Sequence, residues 1–314
     1  MSQNNCKKPK HILHMNLKEK QTFLDSFDIV LSDCDGVLWN ISAPIPNAGA
    51  AINLLKIAGK AFKYVSNNDG RRSTEAYIKK VESIGARNIL KNDFILPFKV
   101  LARHIKLNYP SETCYCIGTE TFCQSLKETD VEVQNVTPGF DIKPDKLINA
   151  VTPIENAKLV IVDIHINMTF IDLALIHQYL LKKNCMVYIN AVDDRLTVSK
   201  DLKIVGPGLF TQALVECAER DLIIFGKPSD IMAEYIVDEF QISERKRALF
   251  AGDNLFADIK FGIQQGFQTL FVPTGVHSIT DMMTQMPENQ PDYYADGLGD
   301  FVEFFNDITE SLSK

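Results

Sequence analysis

Two aspartates stand two residues apart at the end of an apolar run, Asp28-Ile29-Val30-Leu31-Ser32-Asp33-Cys34-Asp35-Gly36. Residues i and i+2 of an extended chain point the same way. Asp33 and Asp35 therefore converge at the carboxyl end of one strand, where open α/β sheets place their ligands. Neighbouring carboxylates repel unless a cation or a shared proton offsets them. A Mg²⁺ held by oxygen ligands would do this and leave one carboxylate to attack an electrophile. Taken alone, Asp35-Gly36 also reads as ordinary turn chemistry.

Three further apolar runs stop at polar groups. Ala61-Phe62-Lys63-Tyr64-Val65 ends at Ser66-Asn67-Asn68, and Leu222-Ile223-Ile224-Phe225 ends at Gly226-Lys227-Pro228. Ala248-Leu249-Phe250-Ala251 ends at Gly252-Asp253-Asn254, with Asp258 one helical turn later. Each is followed by a helix-like pattern. Singly, these groups are helix caps, turns or solvated side chains. Together, as four strand ends on one rim of a parallel sheet, they supply what phosphoryl transfer needs. The set holds a carboxylate nucleophile, hydroxyl, amide and lysine groups for phosphate oxygens, and acids for a metal.

The chain resembles the haloacid dehalogenase superfamily, in the branch of para-nitrophenyl, phosphoglycolate and pyridoxal phosphate phosphatases. The four motifs occur in order as Asp33-Cys34-Asp35-Gly36-Val37-Leu38-Trp39, Ser66-Asn67-Asn68, Gly226-Lys227-Pro228-Ser229 and Gly252-Asp253-Asn254-Leu255 with Asp258. Similarity continues through Pro44–Ala48, Asp163-Ile164-His165 and Pro291–Tyr294, leaving aside about twenty residues at the start. The resemblance implies that Asp33 takes the phosphoryl group, while Asp35 protonates the leaving oxygen and then activates water. It implies Mg²⁺ on Asp33, Asp253 and the Asp35 carbonyl, with Asp258 orienting metal-bound water or Lys227. Phosphate oxygens would meet Ser66, Asn67, Asn68 and Lys227.

Behind these residues, the spacing predicts an α/β fold, a Rossmann-like core with a parallel sheet and an inserted α/β cap domain. The interval from Ser66 to Lys227 far exceeds a crossover. Helices are expected at Thr74–Ser83 and Phe98–Leu107, and cap strands at Thr113–Ile117, Leu159–Asp163 and Met186–Asn190, with a helix at Phe170–Lys183. Core would occupy 1–107 and 209–314, and cap 108–208. The core would resume with a helix at Leu209–Glu219, then strands at Gln268–Val272 and Asp292–Ala295 and a last helix near Asp300–Leu312.

The 314 residues suit a core plus an insertion, and the net charge of −7 argues against nucleic acid or an anionic membrane as partner. No apolar stretch reaches transmembrane length, and Met1–Lys8 lacks a hydrophobic signal core. Seven cysteines without metal-ligand spacing read as a reduced cytoplasmic chain. The expected function is a Mg²⁺-dependent phosphomonoesterase working through an aspartyl-phosphate on a small phosphorylated metabolite. Phosphoglycolate, glycerol phosphate and pyridoxal phosphate are the substrates the resemblance suggests, with a homodimer formed through the cap. The rival is a catalytically weak phosphate-binding protein with a partner-binding cap. Departures from the family pattern fall at Asp69, Phe256 and the segment 190–205, and bear on substrate more than on catalysis.

Overall fold

The core strands form where β-branched and aromatic residues alternate between two buried faces. In the computed structural model, which describes residues 8–40, 43–68, 73–139, 142–190, 192–199 and 202–312, Ile29–Ser32 is buried throughout. Val30 packs into one apolar layer, while Ile29 and Leu31 pack into the opposite one with Met232, Ala233 and Ile236. A strand covered on both faces belongs inside a parallel sheet.

In chain order the strands are β1 (Lys10–His11), β2 (Ile29–Ser32), β3 (Ala61–Val65), β4 (Phe94–Ile95), β5 (Cys114–Ile117), β6 (Val133–Asn135) and β7 (Leu159–Val162). Then come β8 (Met186–Ile189), β9 (Arg195–Ser199), β10 (Leu202–Val205), β11 (Ile223–Ile224), β12 (Ala248–Gly252), β13 (Gln268–Phe271) and β14 (Tyr293–Tyr294). Seven make the core sheet in the order β1-β14-β13-β12-β2-β3-β4, every pair parallel. Ser32 pairs with Ala251 on one side and Tyr64 on the other, so the ends of β2, β12 and β3 lie abreast. The expected helices appear at Thr74–Ser83, Pro97–Asn108, Phe170–Leu180 and Phe301–Leu312.

The insertion carries a second parallel sheet, β11-β8-β7-β5-β6. Here two expectations are corrected. The helix Pro207–Ala218, assigned to the returning core, packs on the insertion's helix Phe170–Leu180 and buries Leu214 in that unit's apolar cluster. The run Leu222–Phe225, assigned to the core rim, supplies β11, which pairs with β8 through Ile223↔Tyr188 and Ile224↔Ile189. The chain thus stays with the insertion's sheet through Phe225, whose N donates to Ile189 O at 3.0 Å, rather than returning to the core near Gly208. Periodicity reports that a run is buried, not which of two parallel sheets buries it.

Three further features lie outside those expectations. Residues Lys10–His11 extend the core sheet beside β14, and Leu17–Asp25 is a helix with an Asn16/Glu19 capping box. Within the segment departing from the family pattern, β9 and β10 pair antiparallel. Asp69 lies outside the described residues. No helix among the described residues is long and apolar enough to cross a membrane.

Candidate active site

Because β2 and β12 are in register, Asp33 and Asp253 leave the sheet side by side, and Asp33 N donates to Ala251 O at 2.9 Å. Asp258 comes in from the π-helical turn Leu255–Ile259 that follows β12, and its Oδ2 accepts from Asn254 N at 3.0 Å. Carboxylate oxygens of Asp33, Asp253 and Asp258 lie within 4.8 Å of one another, and all three residues are buried.

Lys227 reaches this cluster from the strand-to-helix turn after β11. Its Nζ donates to Asp33 Oδ1 at 2.5 Å, Asp258 Oδ1 at 2.8 Å and Val65 O at 3.0 Å, which uses all three ammonium protons. Burial alone would lower the Lys227 pKa, but Asp258 and Asp33 outweigh it and raise it. Burial pushes the Asp33 carboxyl up; Lys227 opposes this, while Asp258 and Asp253 reinforce it. Asp253 is pushed up to about 8, first by burial and then by the charge of Asp258.

Asp253 is held by closely fitted backbone. Val276 N donates to its Oδ2 at 2.6 Å. A Cβ on Gly36, whose φ is +91°, would come 2.4 Å from that oxygen, and one on Gly275 would come 2.0 Å from it. Only glycine fits at either position, so two loops close on one carboxylate. Asp35, half-buried on the turn after Asp33, accepts from Trp39 Nε1 at 2.9 Å and from Asn68 Nδ2 at 3.5 Å.

The Ser66 motif is mainly self-organised. Ser66 Oγ accepts from Asn68 N at 3.0 Å. Asn67 embraces the Lys227 backbone: its Oδ1 accepts from Lys227 N at 2.7 Å and its Nδ2 donates to Lys227 O at 3.0 Å. The Asn67 side chain is therefore a brace for Lys227, a role that the motif by itself did not disclose.

Four sequence-identified residues, Asp33, Lys227, Asp253 and Asp258, thus come into direct proximity, with Asp35, Ser66, Asn67 and Asn68 beside them. Sequence reasoning missed Asp193. Its carboxylate accepts from Asn67 Nδ2 at 3.3 Å and Asn254 Nδ2 at 3.2 Å, and burial pushes its pKa up to about 6. The departure at 190–205 marked the segment without singling this residue out.

A haloacid dehalogenase-like hydrolase family matches residues 30–132, and a second HAD-hydrolase-like family matches 224–301. The two matches leave out the middle of the insertion and contain every residue of the cluster. The chain belongs to the haloacid dehalogenase superfamily. It is an enzyme of the phosphatase type within it. Glycerol-3-phosphate phosphatase of Gallus gallus is 29% identical over 299 residues, covering 90% of this chain and 94% of that one. The 4-nitrophenylphosphatase of Schizosaccharomyces pombe is 29% identical over 301 residues, covering 91% and 97%. A glycerol phosphate phosphatase from Mycobacterium tuberculosis, solved in complex with magnesium, shares the fold at a TM-score of 0.70 and 19% identity, covering 94% of this chain and 78% of that one.

Proposed function

We propose that this member of the superfamily is a Mg²⁺-dependent phosphomonoesterase that hydrolyses a small organic phosphate through an aspartyl-phosphate on Asp33. The observation that carries the reading is the buried Asp33–Lys227–Asp258 arrangement beside Asp253. Asp33 Oδ1 is engaged by Lys227, which leaves Oδ2 as the nucleophile. Asp35 donates a proton to the departing oxygen and then takes one from the attacking water, its ring-side oxygen steadied by Trp39. Ser66, Asn67 and Asn68 would donate to phosphate oxygens once the substrate displaces the local Ser66–Asn68 bonds, and Lys227 would offset the phosphoryl charge.

The donor set fits a hard divalent cation. Of three clustered, buried carboxylates, one lysine pairs with Asp33 and Asp258 and leaves Asp253 without a cation among the described residues, and burial together with mutual repulsion raises the pKa of Asp33 and Asp253. Asp33, Asp253 and the Asp35 carbonyl would hold Mg²⁺, while Asp258 is committed to Lys227 and Asn254. When bound, the ion supplies Lewis-acid neutralisation of phosphoryl charge.

Glycerol phosphate, phosphoglycolate and pyridoxal phosphate are the substrate types we favour. A cavity of 340 Å³ lined by Asp194, Arg195, Lys203, Ile204, Val205 and Leu209 suits a leaving group of that size. We place the protein in the cytoplasm, as its buried free thiols at Cys34, Cys114, Cys116, Cys123 and Cys185 suit reducing surroundings, and as a homodimer through the insertion.

The test is phosphate release from 4-nitrophenyl phosphate with Mg²⁺ or with chelator. Wild type should turn over only with the ion, and Asp33→Asn should lose at least about 10³-fold, as expected when a covalent nucleophile is removed. Undiminished activity in Asp33→Asn would sink the covalent reading.

A further inference from the structure

Asp193 belongs to the insertion, yet both its carboxylate oxygens are spent on the core. Oδ2 accepts from Asn67 Nδ2 at 3.3 Å, in the loop after β3, and Oδ1 accepts from Asn254 Nδ2 at 3.2 Å, in the loop after β12. Those strands flank β2, so Asp193 spans the strand that carries Asp33. The two amide donors meet different oxygens of one side chain, and an ionised carboxylate accepts at both.

Each asparagine holds a working group in turn. Asn67 clasps both backbone polar atoms of Lys227. Asn254 Oδ1 accepts from Phe256 N at 2.9 Å and Ala257 N at 3.1 Å, which fixes the turn that delivers Asp258. The loop bearing Asp193 is itself braced: Gly206 N donates to Asp194 O and Gly208 N to Asp193 O, both at 2.8 Å. A Cβ at Gly206 would lie 2.2 Å from Asp193 O, and one at Gly208 would lie 2.2 Å from Val192 O.

We propose that Asp193 is a positioning residue, a strut by which the seated insertion aligns Lys227 and Asp258 on either side of Asp33. The consequence for turnover rests on the phosphatase reading, whereas the strut itself does not. With the insertion seated, Asn67 and Asn254 are locked; with the strut removed, each amide loses its far anchor and the groups it holds lose theirs.

Asp193→Ala and the isosteric Asp193→Asn test this in the full-length protein with Mg²⁺. Backbone hydrogen exchange at Lys227, Phe256 and Ala257 should accelerate roughly tenfold or more in the alanine variant, by loss of charge-assisted bonds, and less in the asparagine variant. Exchange in Ile29–Leu31 should not change. The kcat for 4-nitrophenyl phosphate should fall about 10–100-fold with a smaller change in KM, as misplaced catalytic groups produce. Unchanged exchange at those three amides overturns the strut whatever turnover does. Faster exchange with wild-type kcat overturns its coupling to catalysis. A wild-type protein with no turnover refutes the phosphatase reading alone, and exchange then decides the strut. Should the alanine variant unfold, the asparagine variant carries the same readouts.

Discussion

Lys227 is the cation that lets Asp33 and Asp258 coexist in a dry site, and removing it leaves two carboxylates facing each other without solvent. Lys227→Met should therefore cost about 3–5 kcal/mol, the range for breaking a buried ion pair from one side, read as a lower denaturation midpoint. Asp253 makes the pH dependence explicit. Its folded pKa, about 8, lies above its ordinary 3.8. Between those values the unfolded chain binds fewer protons than the folded one, so this group lowers stability as pH rises from about 4 to 8. Mg²⁺ relieves the cost by binding the ionised form, so it should raise the thermal midpoint more at pH 8 than at pH 5. Scanning calorimetry of metal-free and Mg²⁺-loaded protein at both pH values checks the sign. Much of this chemistry was legible because acids two apart at a strand end leave few readings. Asp193 was not, since a hydrogen bond between distant loops leaves no spacing in the chain.

The turns that carry these side chains are specified as tightly as the side chains themselves. Gly36→Ala would place a left-handed conformation on a residue with a Cβ and drive that carbon into Asp253. The strain should cost about 1–3 kcal/mol, and activity should fall more than tenfold because the displaced carboxylate is a metal ligand in the proposal. Gly266 has a similar φ, +73°, yet a Cβ there would meet nothing within 4 Å. Its alanine variant should cost about 1–2 kcal/mol and leave kcat unchanged. Comparing the two by melting and turnover separates backbone strain from damage to the site. At this scale, β2, β3 and β12 were readable from apolar runs that stop at polar residues. The address of β11 was not, because Leu222 and Ile224 pack against Val187 and Ile189 within a cluster no local pattern identifies.

For the molecule as a whole, the insertion exposes apolar side chains that the core has no means to cover. Ile148 is 77% exposed, Ile166 68% and Phe170 81%. The proposed homodimer would bury such residues, so light scattering should return twice the mass of one chain, and Phe170→Glu should shift the population toward monomer. A wild-type mass of one chain would remove the dimer from the proposal. The two-body plan was readable from the long interval between Ser66 and Lys227; the point of return was not, since a helical period does not say which body buries the helix's apolar face.

The place of β11 also governs how such an enzyme can be recombined. A graft cut at Gly208 would split a five-stranded sheet, stranding β11 and the helix before it on the recipient. A cut that keeps the sheet whole falls at Phe225 or beyond, at the doorstep of Lys227. The unit that roofs the substrate and the lysine that balances its charge are therefore inherited almost as one piece, and swapping specificity between relatives means re-seating that lysine each time.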